Sequence, residues 1–275
     1  MCEKMKSTAS SHEFMICAYR ASPYLETCIL SLKRQVLPSK ITLSTATPNE
    51  MIHSLCEKYD IPMRVNRGEH GITQDWNFAL SETTAEYVTL AHQDDIYDSN
   101  FTSMVLAHSQ SRDTIIAFTD YYEIRNGQHV INNRLLRLKR LMNLPLQAFR
   151  NSRFVRKRIL SLGNPICCPS VTFHMARCSD FRFNNSFRNS CDWEAWSRLA
   201  EIKGDFVYIP KPLVGHRIHP DSETTAAIAE NVRYQEDYAM YRRFWPAPVA
   251  QILMRFYAKS MNSNEIKRTE KESGT

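Results

Sequence analysis

Three short stretches carry residue types that could do chemistry together. In HQDD, residues 92–95, the adjacent carboxylates Asp94 and Asp95 follow the apolar run YVTLA. Paired carboxylates suit a hard divalent cation that keeps some water and takes its other ligands from phosphate oxygens. The competing role is capping of a helix expected from about Asn100, and Asp98 is assigned to that cap. In CDWEAW, residues 191–196, Asp192 opens a helix and Glu194 follows. A carboxylate there is a good cap, or a general base if partial burial raises its pKa. In GHRIHPDS, residues 215–222, imidazole can bind a cation and guanidinium a diphosphate. In an extended chain Arg217 and His219 share one side and His216 and Ile218 the other, which makes Arg217 with His219 the better functional pair.

These stretches need elements that position them. FMICA (14–18), KITLSTA (40–46), MRVN (63–66) and YVTLA read as short buried strands. Between them lie helical patterns over 22–35, with Ser22 as cap and Pro23 in the first turn, over 48–58, and over 73–80. Repeated strand–helix units predict an α/β fold with a Rossmann-like, mostly parallel sheet, whose ligands sit beyond the carboxyl ends of the strands. Asp94 and Asp95 lie at such an end. Residues 114–132 predict two strands joined at Asn126-Gly127, 164–175 a loop entering a strand, 191–204 a helix, and DFVYIP (205–210) a last buried strand, with GHRIHPDS beyond it.

The chain has 275 residues, 43% hydrophobic, enough for a sizeable core. One domain over 1–230 is expected, with a nucleotide-binding half at about 12–110 and an acceptor half at about 111–230. A helical extension over 231–259 and a polar tail over 260–275, expected to be disordered, follow. No apolar run is long enough to span a bilayer and the N-terminus lacks an apolar leader, so a cytoplasmic protein is expected. The eight cysteines include no CxxC pair, and Cys167 with Cys168 reads as packing. Charge is uneven. The segment 131–160 holds nine Lys or Arg residues and no acid, more than the whole chain's net +6, so the remainder is net acidic. With its interleaved leucines it reads either as an amphipathic surface for an anionic membrane or as helices lying across their own domain. Few aromatic residues interleave, which ranks nucleic-acid binding last.

Taken in order, these residues resemble the family-two glycosyltransferases of the GT-A fold, from about Phe14 to Ser222. FMICAYR with SPYLETCILSLKRQ is similar to the family's VIIPVYN and its helix; GITQDWNFAL to GVSAARNAGI, keeping Gly71 and Asn77; YVTLAHQDDIY to YIAFLDSDDWY; CDWEAW to the ED element; HRIH to YRxH. The resemblance implies an inverting, metal-assisted transfer from a nucleoside diphosphate sugar, expected to be a UDP-sugar, to a glycan or lipid-linked acceptor in cell-surface polysaccharide synthesis. It implies Asp192 as the base, donor contacts from Ala18, Tyr19, Arg20, Thr45, Asn77, Asp94 and Arg217, and Mn2+ or Mg2+ held by Asp95 and His219. Two positions depart from the pattern: His92 replaces the first acid of the DXD element, and LSTATPNE replaces LVDDGSTD, leaving Thr45 or Thr47 for the base. These departures keep a second reading open, a non-catalytic sugar-nucleotide or glycan-binding module on the same fold.

Overall fold

The computed structural model describes residues 11–219 and 232–262, so the expectations for 220–231 and 263–275 lie outside the described residues. The four strands expected in the first third of the chain form: β1 (His12–Ala18), β2 (Lys40–Thr45), β3 (Met63–Val65) and β4 (Tyr87–His92), all parallel in the order β3-β2-β1-β4. Helices α1 (Leu25–Lys33), α2 (Glu50–Tyr59) and α3 (Ile72–Ser81) connect them. Alternation along β1 splits the core between the two faces of the sheet: Phe14 and Ile16 enter one apolar cluster, Met15 the other.

Beyond β4 the sheet becomes mixed. After the two-residue β5 (Ile96–Tyr97) and α4 (Phe101–His108) comes the long β6 (Thr114–Arg125), turning at Asn126 and Gly127, both at positive φ, into β7 (Gln128–Val130). Strand β8 (Val171–His174) runs antiparallel between β4 and β6. The basic segment folds as α5 (Arg134–Asn143), α6 (Pro145–Phe149) and α7 (Arg153–Leu160). The short α8 (Met175–Cys178) and then α9 (Cys191–Leu199) follow β8.

The last strand corrects an expectation. It does not stop at Pro210; β9 runs from Asp205 to Ile218, parallel to β6, and pairs with β5 at its far end. Pro210 and Pro212 cannot donate to a ladder, and the register shifts around Asp120 where they pass. The strand then resumes and carries His216 and Arg217 to the end of β4. Gly215 makes this possible, since a Cβ there would lie 2.7 Å from the Tyr122 ring and 2.8 Å from Ile96. Two helices, α10 (Val232–Phe244) and α11 (Ala247–Asn262), complete the described chain.

Candidate active site

The edge expected to meet the donor is assembled from the ends of β1, β4 and β9. Asp95 is 1% exposed. Its carboxylate accepts the Arg217 backbone N–H at 2.8 Å and lies 3.1 Å from His216 Nδ1, with His92 Nδ1 at 3.9 Å. It therefore ties β4 to β9 and, as placed, does not offer itself to a metal as the sequence suggested. Burial alone would lower the His216 pKa, but the Asp95 charge and hydrogen bond outweigh it and raise it.

Asp94 occupies the open position instead. Its side chain is 25% exposed; Ser22 Oγ donates to Oδ1 at 2.8 Å, and His219 Nε2 lies 3.3 Å from Oδ2. Burial opposes ionisation here, yet the hydrogen bonds from His219 and Ser22 hold the carboxyl below its usual pKa. Ser22, expected as a helix cap, is thus drawn into the site, and α1 starts later, after Tyr24. Arg217 donates from Nε to the Asp94 carbonyl at 2.9 Å and lies 4.3 Å over the Tyr24 ring, which also packs 5.2 Å from the His219 ring. Tyr24 gave no sequence signal beyond its helical pattern, yet its ring packs against both Arg217 and His219. Asp98 behaves partly as expected: it orders the turn before α4 by accepting the Asn100 N–H at 2.9 Å, but it stands two residues ahead of the N-cap position, which Asn100 occupies.

The nucleotide end is less as expected. Ala18 is buried at the end of β1 and pairs with Thr45, so it can present only backbone. Tyr19 is 50% exposed, its backbone clasped on both sides by the Gln93 amide at 3.1 and 3.0 Å. Arg20 sits in the left-handed region at φ 55, held by its N–H to Thr47 Oγ1. A side chain tolerates that conformation at a cost of roughly 1–2 kcal/mol. Thr45 is buried and its hydroxyl accepts the Thr47 N–H at 3.0 Å, so it is spent within the loop. Asn77 is spent too: its amide brackets the Phe183 backbone at 2.9 and 2.6 Å and fixes the loop before α9. His92 stacks on Trp76 at 5.1 Å and is driven toward the neutral form by burial, against the pull of Asp95.

Asp192 lies across from this edge, partly buried in the first turn of α9. The helix is anchored beneath it by Trp193 and Trp196, each about 1% exposed or less, and the Trp193 indole donates to the Leu160 carbonyl at 2.9 Å. Burial pushes the Asp192 carboxyl up to about 6, against hydrogen bonds from the Trp193 N–H and from Asn164 at 2.8 Å. Glu194 has no share in this. It is buried and paired with Arg198 at 2.9 Å and Arg243 at 3.0 Å, joining α9 to α10. The segment from Asn164 to Ser170 bridges the two edges: Asn164 holds Asp192, and the Pro169 carbonyl accepts from Tyr97 of β5. Cys167 and Cys168 are buried within it as expected, their thiols raised by burial.

A helix-flanked sheet with two aspartates just beyond β4 and a third in the first turn of α9 invites comparison with known proteins. The family model described as Glycosyl transferase family 2 matches residues 14–182, more than half of the chain. The chain belongs to glycosyl transferase family 2. Membership carries the enzyme class, glycosyl transfer. No curated protein matches the sequence. Among solved structures, it is similar to a mannosyltransferase from Pyrobaculum calidifontis in complex with GDP-Man and Mn2+, at 11% identity and TM-score 0.62, over 92% of this chain and 70% of that one. It is also similar to S. aureus TarS 1-349 in complex with UDP-GlcNAc, at 15% identity and TM-score 0.60, over 94% and 74% of the two chains. Against a longer TarS chain the identity is 13% and the TM-score 0.58; 95% of this chain aligns, and it spans 46% of that one. At such identities the likeness shows the fold, and with it the GT-A architecture expected from the sequence.

Proposed function

We propose that the chain performs an inverting, single-displacement transfer of a sugar from a nucleoside diphosphate sugar to a hydroxyl acceptor, with Asp192 as the general base. The observation that carries this is the opposed state of the carboxylates: Asp94 is held ionised by hydrogen bonds, while Asp192 is pushed up to about 6 by burial. A carboxylate near neutrality is matched to accepting a proton from a hydroxyl. Asp192 takes that proton as the acceptor oxygen attacks the anomeric carbon, and the nucleoside diphosphate leaves on the side of Arg217. Arg217 binds the diphosphate through its terminal nitrogens, which have no protein hydrogen-bond partner among the described residues. Tyr19 covers the nucleoside, with Arg20 beside it. A UDP-sugar is the proposed donor, in line with the UDP-GlcNAc bound by TarS.

A divalent cation fits this edge in a specific way. Among the described residues no three His, Cys, Asp or Glu side chains converge. Asp94 and His219, 3.3 Å apart and partly open, supply two ligands of the right kind, and an ion such as Mn2+ or Mg2+ would take the rest from phosphate and water. When bound, it supplies neutralisation of the charge on the leaving diphosphate. Asp95 is reassigned to holding β9 in place.

The acceptor is proposed to be a glycan or lipid-linked molecule of cell-surface polysaccharide synthesis, met at the inner face of a membrane. Support comes from α5, where Arg134, Arg137, Leu138 and Leu141 are all exposed at helical spacing; Leu138 is 51% and Leu141 63% exposed. Much of the remaining basic segment is spent internally. Arg156 is 1% exposed and donates to the Gly204 and Ile202 carbonyls at 2.9 Å, Arg150 pairs with Asp205, and Arg140 with Asp120. No described helix is long and apolar enough to cross a membrane. The test is a screen of UDP- and GDP-sugars for Mn2+-dependent hydrolysis and transfer, with Asp192→Asn alongside; turnover surviving that substitution would remove the base assignment.

A further inference from the structure

Lys139 on α5 turns toward Tyr121 rather than outward. Its ammonium donates to Tyr121 Oη at 3.0 Å and lies 5.3 Å from that ring's centroid. The same ring meets His216 edge-on at 6.1 Å, and His216 is held by Asp95 at 3.1 Å. Lys139 is therefore two contacts from the donor edge. On its other side, Asn143 at the end of α5 reaches the Pro165 carbonyl, next to the Asn164 that holds Asp192. Its charge is felt at both places, since it is among the cations opposing the upward shift of Asp192 and the like charges acting on His216. Yet Lys139 is only partly buried and forms no ion pair with a carboxylate among the described residues, whereas Arg140 beside it pairs with Asp120 at 3.4 Å. A partly buried cation held by a phenol and without a carboxylate partner is suited to an anion that arrives with the reactants.

We propose that Lys139 is a phosphate-binding residue of the cleft, receiving a phosphate group of the reactants between His216 and Asp192. This rests on the glycosyl-transfer reading and goes beyond it, because the family resemblance assigned no residue of the basic segment to the reaction. Tyr121 holds the ammonium in place, and the phosphate replaces the phenol as its partner. The phosphate has two sources, the diphosphate of the donor or a phosphate carried by the acceptor.

Titration calorimetry of the full chain separates them. UDP and GDP, each with Mn2+, probe the donor source; farnesyl phosphate, with farnesol as its uncharged control, probes the acceptor source. Wild type, Lys139→Gln and Lys139→Arg are compared, with Tyr121→Phe to show that loss of the phenol contact alone does not weaken binding. The expected result is about a tenfold loss of affinity in Lys139→Gln for one class of phosphate probe. Most of it returns in Lys139→Arg, and farnesol is unaffected. A loss confined to nucleotides assigns the donor diphosphate, and a loss confined to farnesyl phosphate assigns the acceptor. Unchanged affinity for both classes, or an equal loss for farnesol, overturns the proposal. If wild type binds neither nucleotide, the glycosyl-transfer reading itself fails, and that failure is distinct because it precedes any substitution.

Discussion

Asp94 and Asp192 are the same side chain in two environments. At the end of β4, Asp94 receives hydrogen bonds from Ser22 and His219 and is held below the ordinary carboxylate range despite its burial. At the start of α9, Asp192 also receives two hydrogen bonds, from the Trp193 N–H and from Asn164, yet burial outweighs them and pushes it up to about 6. Hydrogen bonding decides the first case and desolvation the second. The difference separates a group suited to permanent negative charge, as a cation site requires, from one suited to taking and releasing a proton.

The contrast can be broken at either end. The largest effect is expected from Asp192→Asn, which should lower kcat by about 10²- to 10⁴-fold while leaving nucleotide affinity intact. In the wild type the sign of the pH dependence follows from the upward shift: below about pH 6 Asp192 keeps its proton and cannot act as base, so kcat should rise with pH through about 6 and then level. A pH–rate profile with its acid limb near 4 would remove the burial argument. Next in size, Asp94→Asn should abolish most of the Mn2+-dependent stabilisation by nucleotide in a thermal-shift assay, at least tenfold in affinity. Asp95→Asn sharpens the comparison with its neighbour. As a buried support for His216 and the Arg217 backbone, it should cost about 2–4 kcal/mol of stability in urea unfolding yet retain the metal dependence. A stable Asp95→Asn protein without metal dependence would return Asp95 to the role read from the sequence. The smallest effect is on α5: Arg137→Glu should weaken binding to anionic vesicles severalfold, by about 1 kcal/mol per basic residue lost, without changing kcat on a soluble acceptor.

The fold was legible where pattern and local signals agree. Parallel strands β1 to β4 are short apolar runs with helical patterns between them, and Asn126-Gly127 turns where its backbone preference requires. What stayed hidden depended on pairing between distant segments. The prolines at 210 and 212 look like a strand end, but a shifted register lets β9 pass them, and only the neighbour β6 decides that. Sequence order along HQDD likewise cannot say which aspartate faces the cleft. Asp95 is turned inward because β5 pairs with β9, while Asp94 is left open beside Ser22. Asn77 keeps a motif position and Thr45 stands where the motif has an acid, yet both direct polar atoms to Phe183 and Thr47. Lys139 was visible only as one of nine basic residues, because its inward turn depends on Tyr121.

The central claim is that the two edges divide binding from proton transfer. Its most direct test is to measure nucleotide affinity with Mn2+ and sugar-transfer turnover in parallel for Asp94→Asn and Asp192→Asn. The account predicts that Asp94→Asn loses metal-dependent affinity, while Asp192→Asn keeps it and loses turnover. Equal loss of affinity in both proteins, or turnover persisting in Asp192→Asn, would contradict it.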